Sequence, residues 1–321
     1  MKRALWILFA CAVLAAGVLL LAVLCGSSGC AGFATIQPDL LWQLRLPRAL
    51  LAFAVGGLLA LAGALMQLLL RNPLADPYVL GVSSGAATGA MIAILLAPAA
   101  AGLWGTHLGA FTGALLALGL LFGLTRNSGN TNPSNNASLR LILIGVMIAA
   151  GFGACMTLLL SLAPDAHLRG MIFWLMGDLE NNLLYGPACL VLVLSVMWAS
   201  RHAAQLNVLA HGDRAAQLLG LPVARLRTHT LLIASAMTAS AVAVAGTIGF
   251  VGLVAPHALR LMLGNDQRLL LPASALGGGI VLMLSDLLAR TVVAPVQLPV
   301  GVVTALIGVP VFLFLLGRTR T

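Results

Sequence analysis

Two arginines close together in the sequence are the first candidates for chemistry. Arg45 and Arg48 lie three residues apart in the segment RLPR, a spacing that puts both side chains on one face of a helix. Guanidinium groups form forked hydrogen bonds to carboxylates, so this pair suits the docking of an acidic protein surface. Anchoring to lipid headgroups would explain the two residues equally well. The residues alone leave both interpretations open.

An acid and a further arginine form the second candidate group. Asp286 and Arg290 are four residues apart, the spacing at which oppositely charged side chains pair along a helix. We therefore expect a structural ion pair between them. That pair would also hold the Arg290 side chain in a fixed position.

Three other side chains could contact a ligand. His257 follows a proline at an expected helix break, where it could carry a proton or bind a metal chelate, although a hydrogen-bonded structural histidine is the preferred interpretation. His167 and Arg169 lie in the segment PDAHLRG and are candidate substrate contacts. The cysteines lack the spacing of a metal site, although Cys25 and Cys30 could form a disulfide. We predict no bound metal ion.

The sequence excludes ATP hydrolysis through a phosphate-binding loop. That loop needs Gly-Lys-Ser or Gly-Lys-Thr, whereas the only lysine of the chain is Lys2. If ATP drives this protein, a partner chain must bind the ATP and its Mg ion. We therefore predict no catalytic residue and no cofactor on this chain, which is not expected to be an enzyme.

The composition determines what kind of elements position these residues. Of 321 residues, 61% are hydrophobic and 8% are charged. Soluble domains carry about 25% charged residues, so the chain is neither a soluble enzyme nor a disordered protein. The net charge of +9 does not indicate nucleic-acid binding, because the arginines are scattered between apolar blocks. The chain is predicted to be an all-α polytopic membrane protein.

The apolar segments predict ten membrane-spanning helices, since one helix needs about 20 apolar residues. Two of the eight charge-free runs are long enough for two helices each, and the second of these should end in a short helix near 252–263. The runs are 4–38, 49–70, 77–125, 141–164, 181–200, 228–259, 269–285 and 291–317.

The distribution of basic residues predicts the topology. An even number of spans puts both termini on one side, and the basic segments 1–3 and 318–320 assign that side to the cytoplasm. Alternation then places 13 of the 17 basic residues in the cytoplasm. The first span is expected to be retained rather than cleaved as a signal peptide. The four outer residues are Arg45, Arg48, Arg169 and Arg290.

Short motifs along nearly the whole chain resemble one protein family. They resemble, in the same order along the chain, the motifs of the FecCD/BtuC-type permease subunits of ABC importers. These importers carry iron-siderophores, haem or cobalamin. The motifs are RLPR at 45–48, NPLADP at 72–77, LGVSSGA at 80–86, FWLMG at 173–177, GFVGLVAPHALRL at 249–261, SDLLAR at 285–290 and LPVGVVTALIGVP at 298–310.

The resemblance implies an architecture and a set of partners. It implies one transmembrane permease domain over residues 1–321, with the ten spans of a type II ABC importer. The permease would act as a homodimer in the bacterial inner membrane, with the substrate path between the two copies. Two ABC ATPase subunits, a periplasmic substrate-binding protein and a metal chelate would be its partners, and His167 and Arg169 favour haem among the chelates.

The resemblance also implies roles for residues at both membrane faces. Arg45, Arg48 and Arg290 would dock acidic residues of the binding protein. On the cytoplasmic side, Asn72 and Leu74 would form a gate with Ser138, at the start of the fifth span. The stretch 127–138, rich in Asn and Ser, is expected to be a solvated loop.

The longest cytoplasmic loop, 201–228, is the expected contact with the ATPase. A short helix over 214–219 should be capped by Asp213 and ended by a glycine, and Pro222 should prevent it from restarting. An interfacial helix lying on the bilayer is the alternative interpretation. The implied coupling residues are Leu209, Gly212, Asp213, Ala215, Leu218, Leu219 and Gly220.

Three other functions remain as alternatives. A secondary transporter driven by an ion gradient would need an ionisable residue without a fixed partner in mid-membrane, whereas Asp286 is expected to be paired. An intramembrane protease would need facing catalytic residues, and the spans offer one acid. Related permeases that carry metal ions or metal oxyanions are the third alternative.

Overall fold

The computed structural model describes residues 2–27, 29–30, 37–96, 102–126, 136–179 and 184–318. Within these ranges the chain is almost entirely helical. The helices are α1 (Lys2–Leu24), α2 (Leu46–Leu70), α3 (Val82–Leu96), α4 (Gly102–Arg126), α5 (Asn136–Leu162), α6 (Asp165–Leu175), α7 (Tyr185–Ala210), α8 (Asp213–Leu218), α9 (Val223–Ala245), α10 (Val251–Leu263), α11 (Gln267–Thr291) and α12 (Val300–Arg318).

The apolar helices agree with the number of spans predicted from the sequence. In the described part of the chain, seven helices are long and apolar enough to cross a membrane: α1, α2 with the preceding π-helical segment Leu40–Arg45, α4, α5, α7, α9 and α11. Three shorter apolar helices, α3, α10 and α12, complete the expected ten. The short helix expected near 252–263 is α10, Val251–Leu263.

Helix α2 lies at the centre of the protein and packs against α7, α9, α10 and α11. In its most apolar segment, 89% of the residues are buried inside the protein. Small residues allow this close packing, because glycine lets two backbones approach. A Cβ on Gly63 would lie 2.6 Å from the carbonyl carbon of Gly252 in α10, and closer still to its oxygen. A Cβ on Gly56 would likewise lie 2.8 Å from the carbonyl carbon of Gly278 in α11.

The break between α9 and α10 is held by hydrogen bonds from neighbouring segments. The hydroxyl of Tyr78 donates to the Ile248 carbonyl at 2.8 Å and accepts from the Ile248 amide at 2.9 Å. The Thr247 hydroxyl donates to the carbonyl of Leu175, at the end of α6. Phe250 has φ +68°, a left-handed conformation that interrupts a helix and is rare for a bulky residue. The apolar run 228–259 therefore holds two helices.

Two small elements add to the helical frame. Strands β1 (Cys25–Gly26) and β2 (Gly29–Cys30) pair antiparallel after α1, and a disulfide joins Cys25 to Cys30. The sequence had left open whether these two cysteines pair, and the structure shows that they do. The sequence analysis did not predict α6, which lies between the fifth and sixth spans. Of the expected loop 127–138, residues 127–135 lie outside the described residues, and 136–138 already belong to α5.

Candidate functional site

The structure brings two of the three outer arginines, Arg48 and Arg290, to one carboxylate. The Asp286–Arg290 pair is confirmed, with Arg290 Nε 2.9 Å from Asp286 Oδ2. The other carboxylate oxygen, Oδ1, lies 2.9 Å from Nη2 of Arg48. Arg48 also donates from Nη1 to the side-chain oxygen of Gln297 at 2.8 Å. Asp286 therefore joins α2 to α11, a link that the sequence did not reveal.

Arg45 donates hydrogen bonds to backbone carbonyl groups at the end of α1 and in the hairpin that follows it. Its Nη1 donates to the carbonyls of Val23 at 3.2 Å and Leu24 at 2.7 Å, and its Nη2 donates to Gly29 at 3.4 Å. The last carbonyl groups of a helix have no partner within the helix, so the end of α1 attracts a cation. This guanidinium therefore ties α2 to the end of α1 and to the disulfide-linked hairpin.

The three arginines are largely buried in the single copy of the chain. Only 5% of Arg45 and 4% of Arg290 is exposed, whereas the Arg48 side chain keeps 13%. The sequence predicted all three on the outer face but not the contacts that bury two of them: Arg45 bonds to carbonyl groups of α1, and Arg290 to Asp286. Their role in docking a binding protein stays a prediction.

The turn that follows α2 contains two of the expected gate residues. Arg71 ends α2 with φ +48°, and Asn72 Oδ1 accepts the amide of Leu74 at 2.9 Å. Asparagine commonly forms this local bond at turns. Leu74 is exposed. Ser138 belongs to the first turn of α5, but its side chain lies outside the described residues, so its position opposite the gate stays a prediction.

The gate turn continues into a short 3₁₀ helix, Pro77–Leu80. Asp76 caps this helix, since its Oδ1 accepts the amide of Tyr78 at 2.8 Å. Burial raises the pKa of Asp76, and its hydrogen bond from the backbone opposes that shift. Burial and the neighbouring Asp76 charge both raise the pKa of Tyr78. The turn is thus fixed to the α9–α10 break by Tyr78, which stays protonated.

The expected coupling loop is shorter than the sequence indicated. Helix α7 continues to Ala210 and α9 starts at Val223, so the connection covers residues 211–222 and not 201–228. Residues 201–210 stay helical because Leu206 and Leu209 are buried against the core. Leu209 is therefore not available to a partner, contrary to its assignment from the sequence.

Helix α8 forms the centre of this connection. Gly212, not Asp213, holds its N-cap position, and no capping bond from a side chain is present there in the described structure. Gly220, with φ +76°, follows the helix as expected. Pro222 does not stop a new helix, because it is the N-cap residue of α9 and proline is compatible with helix starts.

The apolar surface expected on α8 is present. Leu218 is 82% exposed and Leu219 is 69% exposed, whereas Ala215 is half-buried and Ala216 is buried. Gly212 is half-buried and Gly220 is exposed beside them. Two large leucines that are this exposed at the tip of a short connection indicate contact with another apolar surface.

The carboxylate of Asp213 contacts two arginines. Its Oδ1 lies 2.6 Å from Nη2 of Arg71, and both of its oxygens lie 3.0 Å from Nη1 of Arg227. Arg227 also donates to the carbonyl of Leu69 in α2 at 3.1 Å. The start of α8 is thereby connected to the end of α2. The sequence did not reveal this network, because Arg71 lies 142 residues from Asp213 in the chain.

A second polar network joins α7 to α11. The amide of Asn207 donates to Asp266 Oδ1 at 2.7 Å, and the Asn207 oxygen accepts the backbone N–H of Gln267 at 2.7 Å. The Asn207 hydrogen bond lowers the pKa of Asp266, with smaller contributions from the backbone and charge of Arg268. The last part of α7 is therefore fixed to the start of α11.

Comparison with known proteins identifies the chain. The model of the FecCD transport family matches residues 4–318. The chain belongs to the FecCD transport family. The hemin transport system permease protein HmuU of Yersinia pestis is 41% identical over 296 residues, which cover 89% of this chain and 86% of that protein. The vitamin B12 import system permease protein BtuC of Salmonella typhi is 40% identical over 283 residues, covering 87% and 83%.

Comparison with solved structures supports the assignment of this chain to the FecCD permeases. A metal-chelate type ABC transporter in an inward-facing conformation superposes with a TM-score of 0.87 and 30% identity, covering 97% of this chain and 99% of that one. PsaBC from Streptococcus pneumoniae has a TM-score of 0.55 at 18% identity, which shows a related fold alone. This chain is therefore an all-α permease of the ABC importer class, and its resemblance to that family is confirmed.

Two histidines of the FecCD permease, His257 and His167, lie in different environments. His257 is buried, and neither ring nitrogen has a hydrogen-bond partner in the described part of the chain, so the expected hydrogen-bonded histidine is wrong. Its ring meets Phe312 of α12 edge-on, with centroids 6.2 Å apart. His167 and Arg169 are exposed on α6, and the Arg169 guanidinium lies 5.8 Å from the centre of the Phe173 ring. Among the described residues, no His, Cys, Asp and Glu side chains cluster as a metal site would need.

Proposed function

We propose that this chain is the membrane-spanning subunit of a binding-protein-dependent importer that carries a metal chelate across the bacterial inner membrane. The observation that carries the proposal is similarity over nearly the whole chain to permeases named for hemin and vitamin B12. The multi-pass helical fold supports it. The cargo is haem, cobalamin or an iron-siderophore, and both termini of the permease are cytoplasmic.

Energy for transport comes from a separate ATPase. The chain has no Gly-Lys-Ser or Gly-Lys-Thr sequence, so two partner subunits would bind ATP and Mg. Each would contact α8 of one permease copy through the exposed Leu218 and Leu219. An apolar contact of this kind excludes water and lets movement of the partner displace α8.

The outer arginines attract the binding protein. Arg48 and Arg290 share one carboxylate, that of Asp286, so this group keeps an excess of positive charge. Such a field raises the encounter rate with an acidic surface even when part of the charge is covered. Arg48, as the most accessible of the three, makes the first direct contact with a partner carboxylate.

Substrate passes between two copies of the permease. Asn72, Leu74 and Ser138 would close the cytoplasmic end of this path, and His167 and Arg169 would meet the chelate near its outer end. An ion-gradient mechanism is not favoured, because such a mechanism needs an ionisable residue without a fixed partner, whereas Asp286 is paired with two arginines.

Purification of the tagged permease in mild detergent tests the proposal. An ABC ATPase and a periplasmic binding protein should be recovered with it, and liposomes containing the complex should take up hemin, cyanocobalamin or a ferric siderophore only with ATP. The double variant Leu218→Gln, Leu219→Gln should lose the ATPase, whereas the variant Arg225→Gln, at an exposed position near the start of α9, serves as the control. Uptake driven by an ion gradient without any ATPase would contradict the proposal.

A further inference from the structure

We infer that Asp213 is a positioning residue that transmits movement of α8 to the end of α2 and to the gate turn, through Arg71 and Arg227. The inference rests on the proposed function, because it assigns the link between the ATPase contact and the cytoplasmic gate. The three side chains come from α8, from the end of α2 and from α9. Charge-assisted hydrogen bonds are the strongest polar links available between such elements.

The geometry makes Asp213 the point where three elements meet. It is the first residue of α8, directly after Gly212, whose φ of +121° allows the chain to turn sharply. Its Oδ1 accepts hydrogen bonds from both Arg71 and Arg227, and its Oδ2 accepts one from Arg227. A displacement of α8 therefore pulls on two cations that belong to different helices.

The gate turn moves as a unit with Arg71. The amide of Asn72 donates to Gln67 at 3.1 Å, and the amide of Ala75 donates to Asn72 at 3.0 Å. With the Asn72 side chain bound to Leu74, residues 71–75 form a compact hydrogen-bonded turn. A force applied to the Arg71 side chain acts on this whole turn, including the exposed Leu74.

The other end of the connection is fixed. Asn207, Asp266 and the amide of Gln267 hold the last turns of α7 against α11. Because α7 is anchored, α8 can move relative to it only around the residues 211–212. The same motion changes the distance between Asp213 and its two arginines, so the salt bridges direct the motion toward α2.

The role is tested in liposomes that contain the permease with its ATPase and binding protein. The measured quantity is the number of chelate molecules transported per ATP hydrolysed, with hemin, cyanocobalamin and a ferric siderophore as probes. Asp213→Asn, Arg71→Gln and Arg227→Gln should each lower this ratio about fivefold while ATP hydrolysis continues. Arg71→Lys, which keeps the charge, should retain most of the ratio.

The matched control is Arg225→Gln, two residues from Arg227 on the same helix. Arg225 is exposed and has no ion pair within the described residues, so the ratio should not change. The double variant Asp213→Asn, Arg71→Gln should be no worse than Asp213→Asn alone, because Asp213→Asn already removes the ion pair with Arg71. Thermal unfolding of each complex separates this role from a merely structural one, which would lower the midpoint and leave the ratio intact.

The outcomes separate two failures. A wild-type complex without ATP-driven uptake of any probe would overturn the proposed function and this inference with it. A wild-type complex that transports normally, with the same ratio for Asp213→Asn, would overturn the inference alone. Uncoupled ATP hydrolysis in Asp213→Asn, together with a normal Arg225→Gln control, would support it.

Discussion

The close contact between α2 and α10 predicts a large effect from one methyl group. In Gly63→Ala the new Cβ would lie 2.6 Å from the carbonyl carbon of Gly252, whereas real Cβ atoms keep at least 3.0 Å from their neighbours. Both partners are backbone, so no side chain can rotate away, and the helices must separate. Overpacking of this kind costs about 1–3 kcal/mol. Separation would also stretch the hydrogen bond from Gln67 to the Leu253 carbonyl, already 3.3 Å long.

Thermal unfolding of the purified permease in detergent measures this cost. A loss of about 2 kcal/mol corresponds to a midpoint lowered by about 4 °C in a protein larger than 150 residues. Gly252→Ala should cost less, because its Cβ would lie 2.9 Å from the Leu59 carbonyl oxygen and 3.0 Å from the ring of Pro77. The expected order of stability is therefore wild type, Gly252→Ala, then Gly63→Ala.

A glycine that packs against no other helix is the control for helix propensity. Gly119 lies in α4, and no described atom would come within 4 Å of its added Cβ. Alanine is the better helix former by about 1 kcal/mol, so Gly119→Ala should unfold at the same temperature as the wild type or slightly higher. Equal midpoints for Gly63→Ala and Gly119→Ala would refute the packing argument.

Three other perturbations have defined outcomes in the same unfolding assay. Asp286→Ala leaves two largely buried arginines without their acid and should cost about 3–5 kcal/mol, whereas a loss below 1 kcal/mol would show that water reaches them. The pKa of Asp266 is lower in the folded state, so its stabilisation is complete above its ordinary pKa of about 4 and is lost as the pH falls through the folded value. Asn207→Ala should therefore weaken the permease at neutral pH more than at pH 3, and an equal loss at both would contradict the assignment. Tyr78→Phe removes both bonds to the α9–α10 break and should cost about 1–3 kcal/mol, while Tyr185→Phe, an exposed control, should cost little.

The sequence predicted the membrane helices because their signal is local. Each span needs only its own apolar residues, and glycines such as Gly246 mark the break between α9 and α10. The predicted ends of the helices were less accurate than their number. Helix α7 continues for ten residues beyond the charge-free run that ends at residue 200. Charge-free runs report the bilayer, whereas a helix continues as long as residues such as Leu206 find a core to pack against.

The contacts of the candidate sites depend on distant parts of the chain. The Asp286–Arg290 pair was predictable because both residues share one helix. The burial of Arg45 was not, because its partners are carbonyl groups of α1, whose backbone offers the same groups in every sequence. The absence of partners for His257 in the described chain likewise depends on how α10 packs against α12.

The enclosure of α2 has a consequence for how the protein is made. Every transmembrane helix first enters the bilayer as a separate segment, and only later exchanges lipid for its neighbours. Helix α2 must be hydrophobic enough to be recognised by the insertion machinery, although almost none of it faces lipid in the folded protein. Its leucines make the segment hydrophobic enough to insert, and glycines such as Gly56 and Gly63 allow the close packing against neighbouring helices that follows. Substitutions in α2 can therefore leave biosynthesis intact and still prevent assembly, so the permease would accumulate in the membrane without its native packing.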